Sequence, residues 1–282
     1  MENPEKANEE FYIGWQPMSP VAQMRFTRKI SLLILVCVLF IASAFVYFQK
    51  GFSSSQFEYG DVTTISGMLT MTPFPMLSVN HGMDMDGQAV IQQIVLVGAG
   101  KHGAEAYIQQ VEKKYGGQLD FSNVTISGFL IYHDGHTLME VKELVPANPD
   151  KAPSTIPFTM SGEAYGSISG EIADPKCFFG VMKPGFGKPH LSCAARCIAG
   201  GIPPVLKSST ASGEAHYYII VDHDGNPCNY SILPFVGDRV FLHGRIKTSG
   251  DWQFIFVDDL DKIVRVPDEM AYEGITCNTI QH

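Results

Sequence analysis

Val124-Thr-Ile-Ser-Gly-Phe-Leu-Ile-Tyr-His-Asp-Gly135 runs into Thr137-Leu-Met-Glu-Val141, and Val240-Phe-Leu-His-Gly-Arg-Ile-Lys-Thr-Ser-Gly250 runs into Trp252-Gln-Phe-Ile-Phe-Val257. In each stretch apolar residues alternate with polar ones, break at a turn and resume. Alternation at period two gives a strand one core-facing side. Asp134-Gly135 and Ser249-Gly250-Asp251 are the turn signals between the two limbs. Two such hairpins, far apart in the chain, make the protein mainly β.

Working outward, each hairpin closes a longer pattern. The first opens at Val62-Thr-Thr-Ile-Ser-Gly-Met-Leu69 and the second at Gly166-Ser-Ile-Ser-Gly-Glu-Ile172. Each reaches a Gly-x-Gly-Lys step, Gly98-Ala-Gly-Lys101 in one and Gly185-Phe-Gly-Lys188 in the other. Ile91–Val97 and His216–Asp222 read as further strands. Ala104–Tyr115 reads as a helix with Tyr107, Ile108, Val111 and Tyr115 on one face, ended by Gly116-Gly117. Tyr230–Val236 has room only for a short helical turn. The uneven spacing marks a duplication with divergent insertions.

Three strands, a helix and a closing hairpin, with Gly67 or Gly170 inside strand one, is an order that resembles the OB-fold barrel. The resemblance is one of topology, over most of residues 60–145 and 164–266. It implies a barrel face suited to oligonucleotides, oligosaccharides or protein strands, without choosing among them.

Ile30–Phe48 (ISLLILVCVLFIASAFVYF) carries no charge. At about 1.5 Å per residue it just crosses a hydrocarbon core of about 30 Å. Tyr47 and Phe48 fall where an interfacial aromatic belt lies, and Arg25, Arg28 and Lys29 precede the span. The positive-inside rule then places the N-terminus in the cytoplasm and the bulk of the chain in the periplasm, as a single-pass protein of the inner membrane. A cleaved signal peptide is the competing reading, because Ala42-Ser43-Ala44 imitates a cleavage site. A long n-region and the apolar Phe45–Phe48 argue against it. The expected organisation is a cytoplasmic tail at 1–29, a transmembrane helix at 30–48 and a first OB-like domain at 60–145. A Pro-rich linker at 146–159, a second OB-like domain at 160–267 and a tail at 268–282 follow.

Asp174–Val205 (DPKCFFGVMKPGFGKPHLSCAARCIAGGIPPV) gathers Cys177, His190, Cys193 and Cys197 inside a frame of Gly and Pro, between the first two strands of the second copy. Helical spacing over Leu191–Ile198 puts His190, Cys193 and Cys197 on one face, at i, i+3 and i+7. Three readings stay open. Cys177 pairs with Cys193 or Cys197 in a disulfide, as exported thiols usually do. Alternatively the four side chains bind a metal, zinc as a Cys3His set or copper(I) with help from Met182. The third reading is thiol exchange by Cys193 and Cys197. Five cysteines beyond the span, including Cys228 and Cys277, leave at least one outside any disulfide. Cys37, within the span, reads as a small lipid-facing residue. No pattern for covalent haem or a Rieske cluster is present.

Weaker candidates read as structure. Gly98–Gly103 lacks the length and Ser/Thr of a P-loop and reads as a strand-to-helix turn. His81, Asp84 and Asp86 read as a solvated loop with some capacity for a cation. His133, His136, Asp222, His223 and Asp224 flank turns and read as solvent-facing. A net charge of −9 repels phosphate backbones and argues against nucleic acid as a partner. The sequence expectation is therefore a membrane-anchored accessory subunit of a membrane redox or metal-handling complex, partnered by another membrane subunit. A periplasmic protein- or glycan-binding scaffold and a thiol–disulfide oxidoreductase are the alternatives.

Overall fold

A computed structural model describes residues 21–50, 55–147, 159–210 and 213–266. Most of the expected cytoplasmic tail and linker, the C-terminal tail and Cys277 lie outside the described residues. The chain forms two compact units, Met1–Ser53 and Ser54–His282.

The first unit holds helix α1 (Val21–Lys50), which starts before Ile30 because Arg25–Lys29 contain no helix breaker. Met24–Tyr47 is long and apolar enough to cross a membrane, and a signal sequence has the same properties. Cys37 is exposed on it.

The second unit contains two closed five-strand barrels and is mainly β, as the alternating runs require. The first is built from β1 (Gln56–Phe57), β2 (Thr63–Thr70), β3 (Met76–Met83), β4 (Ala89–Val97), helix α2 (Glu105–Tyr115), β5 (Asn123–His133) and β6 (His136–Pro146). Strands β2, β3 and β4 are antiparallel neighbours, β4 runs parallel to β6, and β5 pairs with both β6 and β2 to close the ring. Strand β1 adds to the edge of β5. The second barrel repeats the order with β7 (Ser161–Ala173), β8 (Val205–Ser209), β9 (Ala215–Val221), β10 (Arg239–Ser249) and β11 (Trp252–Val257), β9 running parallel to β11. A short β12 (Val264–Arg265) pairs with β10. Helix α3 (Leu191–Ala199) lies between β7 and β8, and α4 (Asn229–Ile232) between β9 and β10.

Gly67 and Gly170 serve the same purpose in the two rings. A Cβ at Gly67 would strike the Ser78 carbonyl oxygen, and one at Gly170 the Lys207 carbonyl oxygen. Only glycine lets strand one bend this close against strand two.

Each barrel has its own interior: Leu69, Leu77, Ile94, Ile108 and Ile126 in the first, Ile172, Leu206, Ile220, Ile232 and Leu242 in the second. A third core lies between them and draws on both, with Phe74, Val95 and Leu138 against Phe179, Tyr217 and Trp252. Equivalent parts meet there. The β5–β6 turn reaches β9, where the Tyr217 hydroxyl donates to Asp134 Oδ2 at 3.0 Å. The β10–β11 turn reaches β4, where Gln93 N–H donates to Asp251 Oδ1 at 2.8 Å and Trp252 Nε1 donates to the Gln93 carbonyl at 3.0 Å. His136 and Trp252, each the first residue after its own turn, pack edge to face with centroids 4.7 Å apart.

This junction corrects two sequence expectations. His133 is buried and His136 half-buried against Phe179 and Tyr217, because the hairpin tip docks on the other barrel. Burial holds both imidazoles below the usual histidine range. On α2, Ile108 and Val111 are buried but Tyr115, the last helical residue, is exposed.

Candidate metal centre

The site begins where β7 ends. Asp174 Oδ1 accepts the backbone N–H of Lys176 at 2.9 Å and of Cys177 at 3.4 Å, which turns the chain out of the barrel. Cys177–Val181 then forms one π-helical turn. Gly185 folds back over that turn so closely that a Cβ there would sit 2.6 Å from the Phe178 Cα. Glu171 on β7 accepts the Gly187 N–H, and Lys188 pairs with Asp238, so the C-terminal end of the Gly/Pro segment is tied to the barrel. Pro189 suits the first helical turn, and His190 leads directly into α3. At the far end of α3, Asn229 Nδ2 donates to the carbonyls of Ile198 and Ile202, at 2.7 and 2.9 Å.

This path brings the sequence-selected residues into two overlapping groups. Ligand atoms of Cys177, His190 and Cys193 all lie within 4.8 Å of one another, and so do those of Asp174, Cys177 and Cys197. Cys177 Sγ and Cys193 Sγ are 3.9 Å apart, and no disulfide joins the described cysteines. Asp174, Cys177, His190 and Cys197 are all buried, and Cys193 is half-buried. Two buried polar atoms in the cluster lack a hydrogen-bond partner, His190 Nε2 and Asp174 Oδ2.

The first barrel contributes as well. Lys101, from the strand-to-helix turn after β4, donates to Cys193 Sγ at 2.6 Å. That hydrogen bond, with the charges of the three cysteines, holds the lysine above its usual range. The neighbouring carbonyls of Gly98 and Gly100 accept from Lys176 Nζ at 2.7 and 2.8 Å, and Glu140 pairs with the same ammonium at 2.6 Å. Gly103 N–H donates to the Gly200 carbonyl at 2.8 Å, seating the turn against the end of α3. Hydrogen bonding to Cys197, burial and the nearby Asp174 all push the Cys177 thiol up. Burial lowers His190 and favours the neutral imidazole that a metal requires. The arrangement offers three sulfurs, an imidazole and a carboxylate in one buried place, a donor set able to hold a metal ion.

Asp174, Lys101 and Lys176 are the participants that spacing did not select. Asp174 opens the quoted stretch with no role assigned to it, and Lys101 stands in a loop read only as a connection. Among the other candidates, Cys228 is buried in the second barrel, where burial pushes its thiol up to about 12. His81, Asp84 and Asp86 are exposed, and Asp84 organises its own turn by accepting the N–H groups of Asp86 and Gln88. Met182, suggested as a copper ligand, is 45% exposed.

The chain matches no protein-family model and no curated protein sequence.

Proposed function

We propose that this protein is a membrane-anchored accessory subunit of a membrane redox or metal-handling complex, and that it carries a thiolate-bound metal at the junction of its barrels. The observation behind this reading is the pair of unbonded sulfurs, Cys177 and Cys193, 3.9 Å apart with the His190 imidazole within 4.8 Å. A tetrahedral ion with Zn–S bonds of about 2.3 Å holds its sulfurs about 3.8 Å apart. A disulfide needs about 2.05 Å. Zinc suits the mixed sulfur, nitrogen and oxygen donors, and copper(I) suits the thiolates alone.

The exposed apolar side chains of α1, among them Leu32, Leu35, Phe40 and Phe45, support an anchor covered by lipid or by a partner subunit. With Arg25, Arg28 and Lys29 ahead of the uncharged run Ile30–Phe48, the barrels are exported. A reporter active only in the periplasm, fused after His282, works in this orientation, and activity of a cytoplasmic reporter alone refutes it. For the metal, purified full-length protein is analysed for bound metals and free thiols. The expected result is bound zinc or copper and thiols shielded until a chelator is added. Metal-free protein with a Cys177–Cys193 disulfide in its peptide map overturns the reading.

Thiol–disulfide exchange is the second reading, and the Lys101 ammonium against Cys193 favours it, since a cation stabilises a thiolate. It requires rapid alkylation of Cys193 in metal-free protein at neutral pH.

A further inference from the structure

The two ligand groups have one member in common, Cys177. Each also contains one residue with an unpartnered buried atom, His190 with its Nε2 in the first group and Asp174 with its Oδ2 in the second. His190 is 3% exposed and Asp174 fully buried, so water does not readily serve either. An ion placed among Cys177, His190 and Cys193 engages the imidazole and leaves the Asp174 carboxylate out of its coordination. An ion among Asp174, Cys177 and Cys197 does the reverse. Cys193 and Cys197 stand one turn apart on α3 and join Cys177 in different groups.

We infer that the cluster holds two thiophilic metal ions bridged by the Cys177 thiolate. One is held by Cys177, His190 and Cys193, and the other by Cys177, Cys197 and Asp174. The inference rests on the metal-binding reading above and extends it to a binuclear centre. Charge supports it. Coordinated thiols are deprotonated outright, so three thiolates and one carboxylate present four negative charges in a buried place. Two zinc(II) ions balance them, whereas one leaves a net negative charge that Lys101 offsets only in part. Lys176 is already engaged by Glu140 and two carbonyls. The carboxylate in the second group selects zinc over copper(I), whose preference is for sulfur.

The test loads full-length protein in detergent with zinc(II), desalts it and measures zinc per chain. Two per chain are expected in the native protein and one in Asp174→Asn, in Cys197→Ser and in His190→Ala. Asp174→Asn retains the Oδ1 acceptor for the Lys176 and Cys177 N–H groups, so this variant keeps the turn. Cobalt(II) then tests the bridge. Two high-spin ions sharing a thiolate couple, so the paramagnetic signal at two equivalents falls well below twice that of one. One zinc per chain, unchanged in a folded Cys197→Ser variant, overturns the second ion and leaves the metal-binding reading intact. Two ions with additive cobalt signals overturn the bridge. No zinc in folded native protein overturns the binuclear zinc centre, and the absence of copper as well overturns the metal-binding reading.

Discussion

The two barrels share a strand order and differ most in the connection between their first and second strands. In the first barrel Met71–Pro75 makes this crossing, with Asp120 accepting the Met71 N–H and Phe74 set into the shared core. In the second the crossing runs from Asp174 to Pro204 and contains the π-helical turn, the Gly/Pro segment and α3. The connection between strands three and four differs in the opposite sense. Helix α2 seals the first barrel with Ile108 and Val111, whereas the second has only the short α4 there. Ala194 and Ile198 of α3 join Ile232 and Val236 in the second interior and supply the missing seal. The same helix presents Cys193 and Cys197 to the cluster. The insertion is therefore part of the barrel that it decorates, and the thiol site and the stability of the second barrel are coupled.

The most severe break in this arrangement is Lys176→Ala. It leaves the half-buried Glu140 without its cation and removes the buried donor to Gly98 and Gly100, so a loss of about 3 kcal/mol is expected. Denaturant unfolding followed by the emission of buried Trp252 measures it. An effect below about 1 kcal/mol would mean that the junction does not depend on this ion pair.

Next in size is the pair Ile198→Ala and Ile108→Ala. Both residues are fully buried under their barrels, and each truncation costs about 2–5 kcal/mol. Equal costs support α3 as the counterpart of α2, while a near-neutral Ile198→Ala would make the insertion an appendage.

A smaller effect belongs to the reciprocal turn contact. Burial pushes the Asp251 carboxyl up to about 6, and its Oδ2 has no partner while Oδ1 accepts the Gln93 N–H. A raised folded value means that the stability contributed is complete below about pH 4 and lost as pH rises through about 6. Asp251→Asn should flatten unfolding free energy across that window. A stability profile unchanged by the substitution contradicts the assignment.

The smallest change is expected at Asp86→Ala in the exposed β3–β4 hairpin, within about 0.5 kcal/mol and with metal content unaltered. Loss of metal in this variant would shift attention from the insertion to the hairpin.

The strand order was legible because alternation and turn residues are local signals, and Gly67 and Gly170 mark equivalent bends. Cys177, His190, Cys193 and Cys197 stood out by density and helical spacing. Lys101 did not, since its partner Cys193 is close only after the two barrels dock. His133 and His136 were read as solvent-facing for the same reason. Residues beside a hairpin turn are exposed in an isolated barrel and become covered when a second barrel arrives. Asp174 carries a turn and a free carboxylate oxygen together, and a sequence displays only the turn.

X-ray absorption at the zinc edge of purified full-length protein tests the central claim most directly. The account predicts zinc bound by sulfur at about 2.3 Å together with nitrogen or oxygen at about 2.0–2.2 Å, the sulfur component falling in Cys177→Ser. A first shell of light atoms alone, or one whose sulfur component is unchanged in a folded Cys177→Ser variant, would contradict it.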